Sequence, residues 1–314
     1  MFRATIHMFS GRPDPTWIVV DPAATDSVLA TLGEQPETWT ARPAGFTGLG
    51  FRGVEIEFFG DDHRADSRIP DRVMLADASP DTDLRAAAEV VRPLIEAMPE
   101  HGRIPLPEHV LTPPDTRAVT TALRWLDIFV EHPPVVLTPE PIGRGPLRRT
   151  VPDRLCSDCQ YEISRFNPNF WNADANVRRS NNCYNYGRNW RTNTFAQPGR
   201  ASGQPLGSVF TGADVVVSAM SDGLRKRCDC LPAEEFPRRM VALVYAPDFE
   251  GTGYPDYHWY REQIGGFWGH KPGGGTARNL DNSNTVITNP EACDRGTYTE
   301  FHGYFCAGRS VVIV

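Results

Sequence analysis

Apolar and polar positions alternate near the start of the chain. Ala4-Thr5-Ile6-His7-Met8-Phe9 and Val54-Glu55-Ile56-Glu57-Phe58-Phe59 put every second side chain on one face, the period of a half-buried strand, and Trp17-Ile18-Val19-Val20 is rich in β-branched residues. Between the first two runs, Ser10-Gly11-Arg12-Pro13-Asp14-Pro15 predicts a turn, because glycine admits unusual φ and the prolines remove donors. The pattern then changes to helical spacing. Thr25 or Asp26 is placed to cap a helix running to Leu32, and Asp81 or Asp83 to cap one carrying Leu84, Ala88, Val91, Leu94, Ile95 and Met98 on one face. Residues 118–130 predict a third helix. Residues 1–132 therefore read as a small α/β domain of unassigned role, with His7, His63, His101, His109 and His132 scattered rather than clustered.

A proline-rich stretch follows, which predicts an extended, semi-stiff linker over residues 133–155 carrying Arg144, Arg148 and Arg149. Residues 156–314 form the second domain, with regular elements expected at Val215 to Ala219, Met240 to Ala246, Tyr257 to Arg261, Phe267 to Lys271 and Val311 to Val314. The fold class is α+β.

Composition sets bounds on function. The 314 residues are 40% hydrophobic and 23% charged, enough apolar side chain for two packed cores. A net charge of −7 argues against a nucleic-acid partner, and no run approaches the ~20 apolar residues of a membrane helix. The first fifteen residues lack a secretory signal pattern.

All seven cysteines lie after residue 155. Cys156-x-x-Cys159 and Cys228-x-Cys230 bring four thiols into two close pairs, which suits either zinc or disulfides. In the disulfide reading Cys293 and Cys306 make a third bridge and leave Cys183 as the odd thiol. Three bridges imply an oxidising, secreted setting, in conflict with the missing signal; the secreted setting is the expectation taken forward.

Cys183 stands in Ser180-Asn181-Asn182-Cys183-Tyr184-Asn185-Tyr186-Gly187. With Ser180 or Asn181 as N-cap, the thiol falls in the first turn of a short helix, where the dipole and unpaired N–H groups favour thiolate and can form an oxyanion hole. Downstream, Asp256-Tyr257-His258-Trp259-Tyr260-Arg261 and Phe267-Trp268-Gly269-His270-Lys271 predict two strands of a hairpin, and a loop over residues 263–265 sets His258 directly opposite His270. Gln197 is a candidate oxyanion donor, and Arg200 a candidate carboxylate holder.

The order of cysteine helix, hydrophobic strand and histidine strand over roughly residues 178–285 resembles the compact papain-like hydrolases of the NlpC/P60 and CHAP kind. That resemblance implies Cys183 as nucleophile, His258 as general base, and His270 as orienting residue, with Asn279 and Asp281 as competing third members. It implies an acyl-enzyme route on peptide or peptidoglycan-type amides with no cofactor. The Asp-Cys-Ser expected around the nucleophile is Asn182-Cys183-Tyr184 here. The alternative is a non-catalytic secreted binding or toxin-like protein, held by disulfides or zinc, whose Trp171, Tyr184, Tyr186, Trp190, Tyr257, Trp259, Tyr260 and Trp268 form a recognition surface.

Overall fold

The computed structural model describes residues 1–60, 69–100, 116–136 and 148–314, and the chain is a mixed α+β protein. It divides into two compact units: Met1–Met8, Asp14–Leu137 and Glu250–Thr252 form one, and Phe9–Pro13, Thr138–Phe249 and Gly253–Val314 the other. His63, His101, His109, Arg144, Pro139, Pro141 and Pro146 lie outside the described residues.

In the first unit, β1 (Phe2–Ile6), β2 (Thr16–Val19), β3 (Trp39–Thr40), β4 (Val54–Phe58) and β5 (Arg72–Leu75) form an antiparallel sheet in the order β2-β1-β4-β5-β3. Alternation sets its faces: Phe2, Ala4 and Ile6 are buried while Arg3 and Thr5 are half-buried. Three helices accompany it, α1 (Pro22–Glu34), α2 (Leu84–Glu96) and α3 (Thr116–Glu131). Asp83 caps α2 by accepting from the Arg85 and Ala86 amides, both at 3.0 Å. The cap of α1 is Asp21 rather than Thr25 or Asp26. Its carboxylate accepts from Ala23, and Pro22 supplies the fixed φ of a first helical position, so the helix starts earlier than the apolar pattern alone indicates.

The second unit is built on β6 (Arg148–Pro152), β7 (Gln160–Ser164), β8 (Arg225–Lys226), β9 (Arg239–Ala246), β10 (Asp256–Gln263), β11 (Phe267–His270) and β12 (Glu300–Ala307). The sheet runs β6-β7-β10-β9-β12-β8 with β11 paired to β10, and all pairings are antiparallel except β7 with β10. β9 is buried at every position, which explains its unbroken apolar run. The helices are α4 (Asn169–Asn172), α5 (Ala175–Arg179), α6 (Cys183–Arg188) and α7 (Gly212–Ser221). α6 packs on β10, β11 and β9, and α7 on β12 and β9.

Two sequence expectations change here. Residues 148–152 are an edge strand rather than linker, because they pair with β7 across a turn. Residues 311–314 take no regular structure; instead the Val311 carbonyl accepts from Arg188, and the Val314 carbonyl from the Gln197 amide.

Segment 9–13 is anchored in the second unit by Asp256. Its carboxylate accepts from the backbone amides of Ser10, Gly11 and Arg12 at 2.7, 3.1 and 2.9 Å and from the Tyr298 hydroxyl. The Gly11 carbonyl then accepts from the side-chain amides of Asn182 and Gln197. A Cβ on residue 11 would lie 2.5 Å from the Tyr257 ring, so this close approach requires glycine.

Candidate functional site

The cysteine helix begins one or two residues later than its polar neighbours suggest. Asn182 is the N-cap: its side-chain oxygen accepts from Tyr184 and Asn185 amides at 3.0 and 3.2 Å, and Asn185 returns a bond to the Asn182 amide at 3.1 Å. The other end of the Asn182 amide donates to the Gly11 and Ala196 carbonyls. Cys183 is thus the first helical residue.

Its environment is the reverse of a reactive thiol's. The side chain is fully buried, and the sulfur donates toward the Tyr257 carbonyl at 3.8 Å. Burial, then the nearby charge of Asp256, pushes the thiol well above its usual range, outweighing the opposing charge of Lys271. Desolvation of a full negative charge exceeds what a six-residue helix's dipole returns.

β10 separates the two chemistries by alternation. Tyr257, Trp259, Arg261 and Gln263 face α6: Trp259 meets the Tyr184 ring at 5.7 Å, Arg261 donates to the Tyr186 carbonyl, and Gln263 reaches the Tyr186 hydroxyl. His258 takes the other direction, packing against Tyr260, His270 and Tyr298. Its Nε2 is 2.9 Å from His270 Nδ1, and His270 Nε2 donates to the Leu280 carbonyl at 3.0 Å. The structure therefore brings His258 to His270 and places Cys183 against the backbone of β10.

The hairpin register differs from the expected one. Tyr260, not His258, lies opposite His270, because the loop is residues 264–266. The shift in pairing is two residues, which preserves the face, so the two histidines meet as diagonal neighbours. On the same side as α6, Gly269 is obligatory, since a Cβ there would lie 2.1 Å from the Tyr186 hydroxyl.

The other candidates lie in turns and loops of the same unit. Gln197 donates to Gly11 at 2.8 Å and accepts from the Tyr257 hydroxyl at 3.0 Å, so its amide is not presented to a ligand. Arg200 is half-buried in the turn after it. Asp281 closes a tight loop by accepting from the Ser283, Thr285 and Asp294 amides. Asn279 is buried, with its backbone carbonyl bonded to Ile287. The expected recognition surface is mostly core: Trp171, Tyr184, Tyr186, Tyr257, Trp259, Tyr260 and Trp268 are buried, and Trp190 alone of that set is exposed.

The cysteines pair as Cys156–Cys228 and Cys159–Cys230, joining the turn after β6 to the loop after β8. The four thiols of the zinc alternative are thereby engaged with one another. Cys293 and Cys306 are free thiols like Cys183, so the third bridge is corrected to two. Among the described residues no cluster of His, Cys, Asp and Glu could hold a metal, and no helix is long and apolar enough to cross a membrane.

Buried charges that the motif reading missed organise the region. Lys271 Nζ donates to the carbonyls of Arg178, Asn181 and Gly273 at 2.5, 2.5 and 2.6 Å, tying the end of β11 to the segment before α6. Asp256, set at the head of an aromatic strand, was the one such residue with a visible signal: a carboxylate there needs donors, and the turn at 10–12 supplies them.

The chain is similar to insoluble matrix shell protein 1 of Ruditapes philippinarum, with 40% identity over 155 residues, 49% of this chain and 93% of that protein. No protein-family model and no solved structure matches it. A relative of that name overturns the expectation of a thiol-dependent peptidase or amidase.

Proposed function

Because the chain belongs to the family of insoluble matrix shell protein 1, we propose that it is a non-catalytic, secreted component of an insoluble extracellular matrix. The observation that carries this reading, beside the relative, is the state of Cys183: fully buried, bonded to backbone, and held as a neutral thiol. Two disulfides support a life in an oxidising compartment. They clasp the β6–β7 end of the second unit, the kind of reinforcement that suits a protein exposed to an uncontrolled medium. The order of a cysteine-bearing helix before a histidine-bearing antiparallel strand supports a papain-like ancestry for this unit, as a scaffold without the chemistry.

The test is to express the full chain behind a cleavable secretory leader in a eukaryotic host and follow it into the medium and the urea-insoluble extracellular fraction. The expected result is oxidised protein enriched in the insoluble fraction, to the same extent for wild type and Cys183→Ala. Secreted protein that stays wholly in the soluble medium, or amide hydrolysis that Cys183→Ala abolishes, would sink the reading.

A further inference from the structure

The second unit carries a concentration of positive charge that the chain as a whole lacks. Residues 165–200 contain six arginines, Arg165, Arg178, Arg179, Arg188, Arg191 and Arg200, against one acid, Asp174, in a chain whose net charge is −7. The same segment exposes two large rings: Phe170 is 38% and Trp190 44% accessible, where most of the unit's other aromatics are buried.

Two ring–guanidinium stacks lie in this segment, joined through the consecutive residues Trp190 and Arg191. Arg191 lies over the Phe170 ring at 3.5 Å and follows Trp190 directly in the chain, while Arg188 lies 5.5 Å over Trp190. Arg188 itself is buried and bonded to the Val311 and Arg309 carbonyls, so it contributes charge and a backing for the ring rather than a free donor. Asp174 is the acid whose charge reaches Arg191, and it makes no direct ion pair with it. Stacking on Phe170 fixes its planar fork in one orientation, which lowers the entropy lost when it grips an anion.

We propose that the Phe170–Arg191–Trp190 surface binds an acidic polysaccharide. This rests on the reading of the chain as a matrix protein and names the matrix partner. A carboxylated sugar polymer has both features the surface answers: apolar C–H faces for the exposed indole, and carboxylates for the stacked guanidinium. An acidic peptide would satisfy the charge and leave Trp190 without a matching face.

The experiment measures binding of the full, oxidised chain to soluble alginate, with dextran as neutral sugar and polyaspartate as a sugar-free polyanion. Alginate binding is expected to exceed both controls, to weaken as salt is raised from 50 to 500 mM, and to fall about tenfold in each of Trp190→Ala and Arg191→Ala. Thermal melts of both variants confirm that they fold. Absence of alginate binding, or binding unchanged in both folded variants, overturns the proposal. Polyaspartate bound as tightly as alginate and indifferent to Trp190→Ala also overturns it, assigning the surface to acidic protein. A chain that enters the insoluble extracellular fraction yet ignores alginate refutes this inference alone. One that is secreted yet stays wholly in the soluble medium refutes the matrix reading, whatever its behaviour with alginate.

Discussion

His258 Nε2 meets His270 Nδ1 at 2.9 Å with both rings fully buried, and His270 Nε2 faces the Leu280 carbonyl at 3.0 Å. A carbonyl only accepts, so His270 carries its proton on Nε2. In the neutral ring Nδ1 is then the acceptor, and His258 donates from its own Nε2. Nitrogen-15 NMR should find both histidines as Nε2–H tautomers at neutral pH, and a proton on His270 Nδ1 would contradict this order. His270→Phe keeps the ring shape but strips partners from His258 and Leu280, at a cost of about 2–4 kcal/mol in denaturant unfolding. A change under 0.5 kcal/mol would mean that the pair does not stabilise the fold.

Asp153 and Arg227 predict how stability depends on pH. The Arg227 fork donates to both carboxylate oxygens at 2.7 and 2.8 Å, and the Leu155 and Cys156 amides add to the first. Burial alone would raise this carboxyl above its ordinary 3.8, but those donors and the Arg227 charge hold it below. A depressed acid stabilises the fold above its unfolded value and loses that contribution as pH falls through its native one. Asp153→Asn should therefore cost about 3 kcal/mol at pH 7, with the gap to wild type closing as pH drops below 3.8. A gap that stays constant from pH 7 to pH 2 would refute the assignment.

What was legible in the sequence depended on the range of the interaction. Strand β4 and the Asp83 cap of α2 followed from local alternation and capping, because those forces act within a few residues, whereas the alternation through Phe9 overran β1, which ends at Ile6. The face shared by His258 and His270 was also legible, since parity survives a two-residue slip even though direct pairing does not. The position of Cys183 at a helix start was readable; its burial was not. That depends on β10 packing beneath α6 and on the segment 9–13, whose contact with Asp256 spans 246 positions. Eight aromatics suggested a surface because composition cannot tell core from exterior, and the separation of Cys183 from His258 appears only once α6 is set on one face of β10.

The three unbridged thiols should be silent in the folded state. Burial pushes Cys293 and Cys306 up to about 11 and raises Cys183 well above the usual thiol range. Relative to a thiol at 9.0, a value of 11 cuts the thiolate fraction at pH 8 by about 100-fold, and poor access slows reaction again. Iodoacetamide at pH 8 should label no cysteine quickly in native protein and three in urea without reductant. Rapid native labelling of Cys183 would restore a reactive thiol and undercut the non-catalytic reading.

The two disulfides should behave as a coupled pair. Cys156–Cys228 and Cys159–Cys230 span 72 and 71 residues and join the same two segments. With one in place the large loop is already closed, so the second constrains only a ring of a few residues. Chain-entropy arithmetic then gives about 2 kcal/mol for removing either bridge alone and about 6 kcal/mol for removing both. Replacing Cys156 and Cys228 by serine, then Cys159 and Cys230, then all four, and comparing urea midpoints, measures this coupling. The quadruple variant should lose clearly more than the sum of the two double variants. A strictly additive result would mean that the segments are held together in the unfolded chain by something other than these bridges.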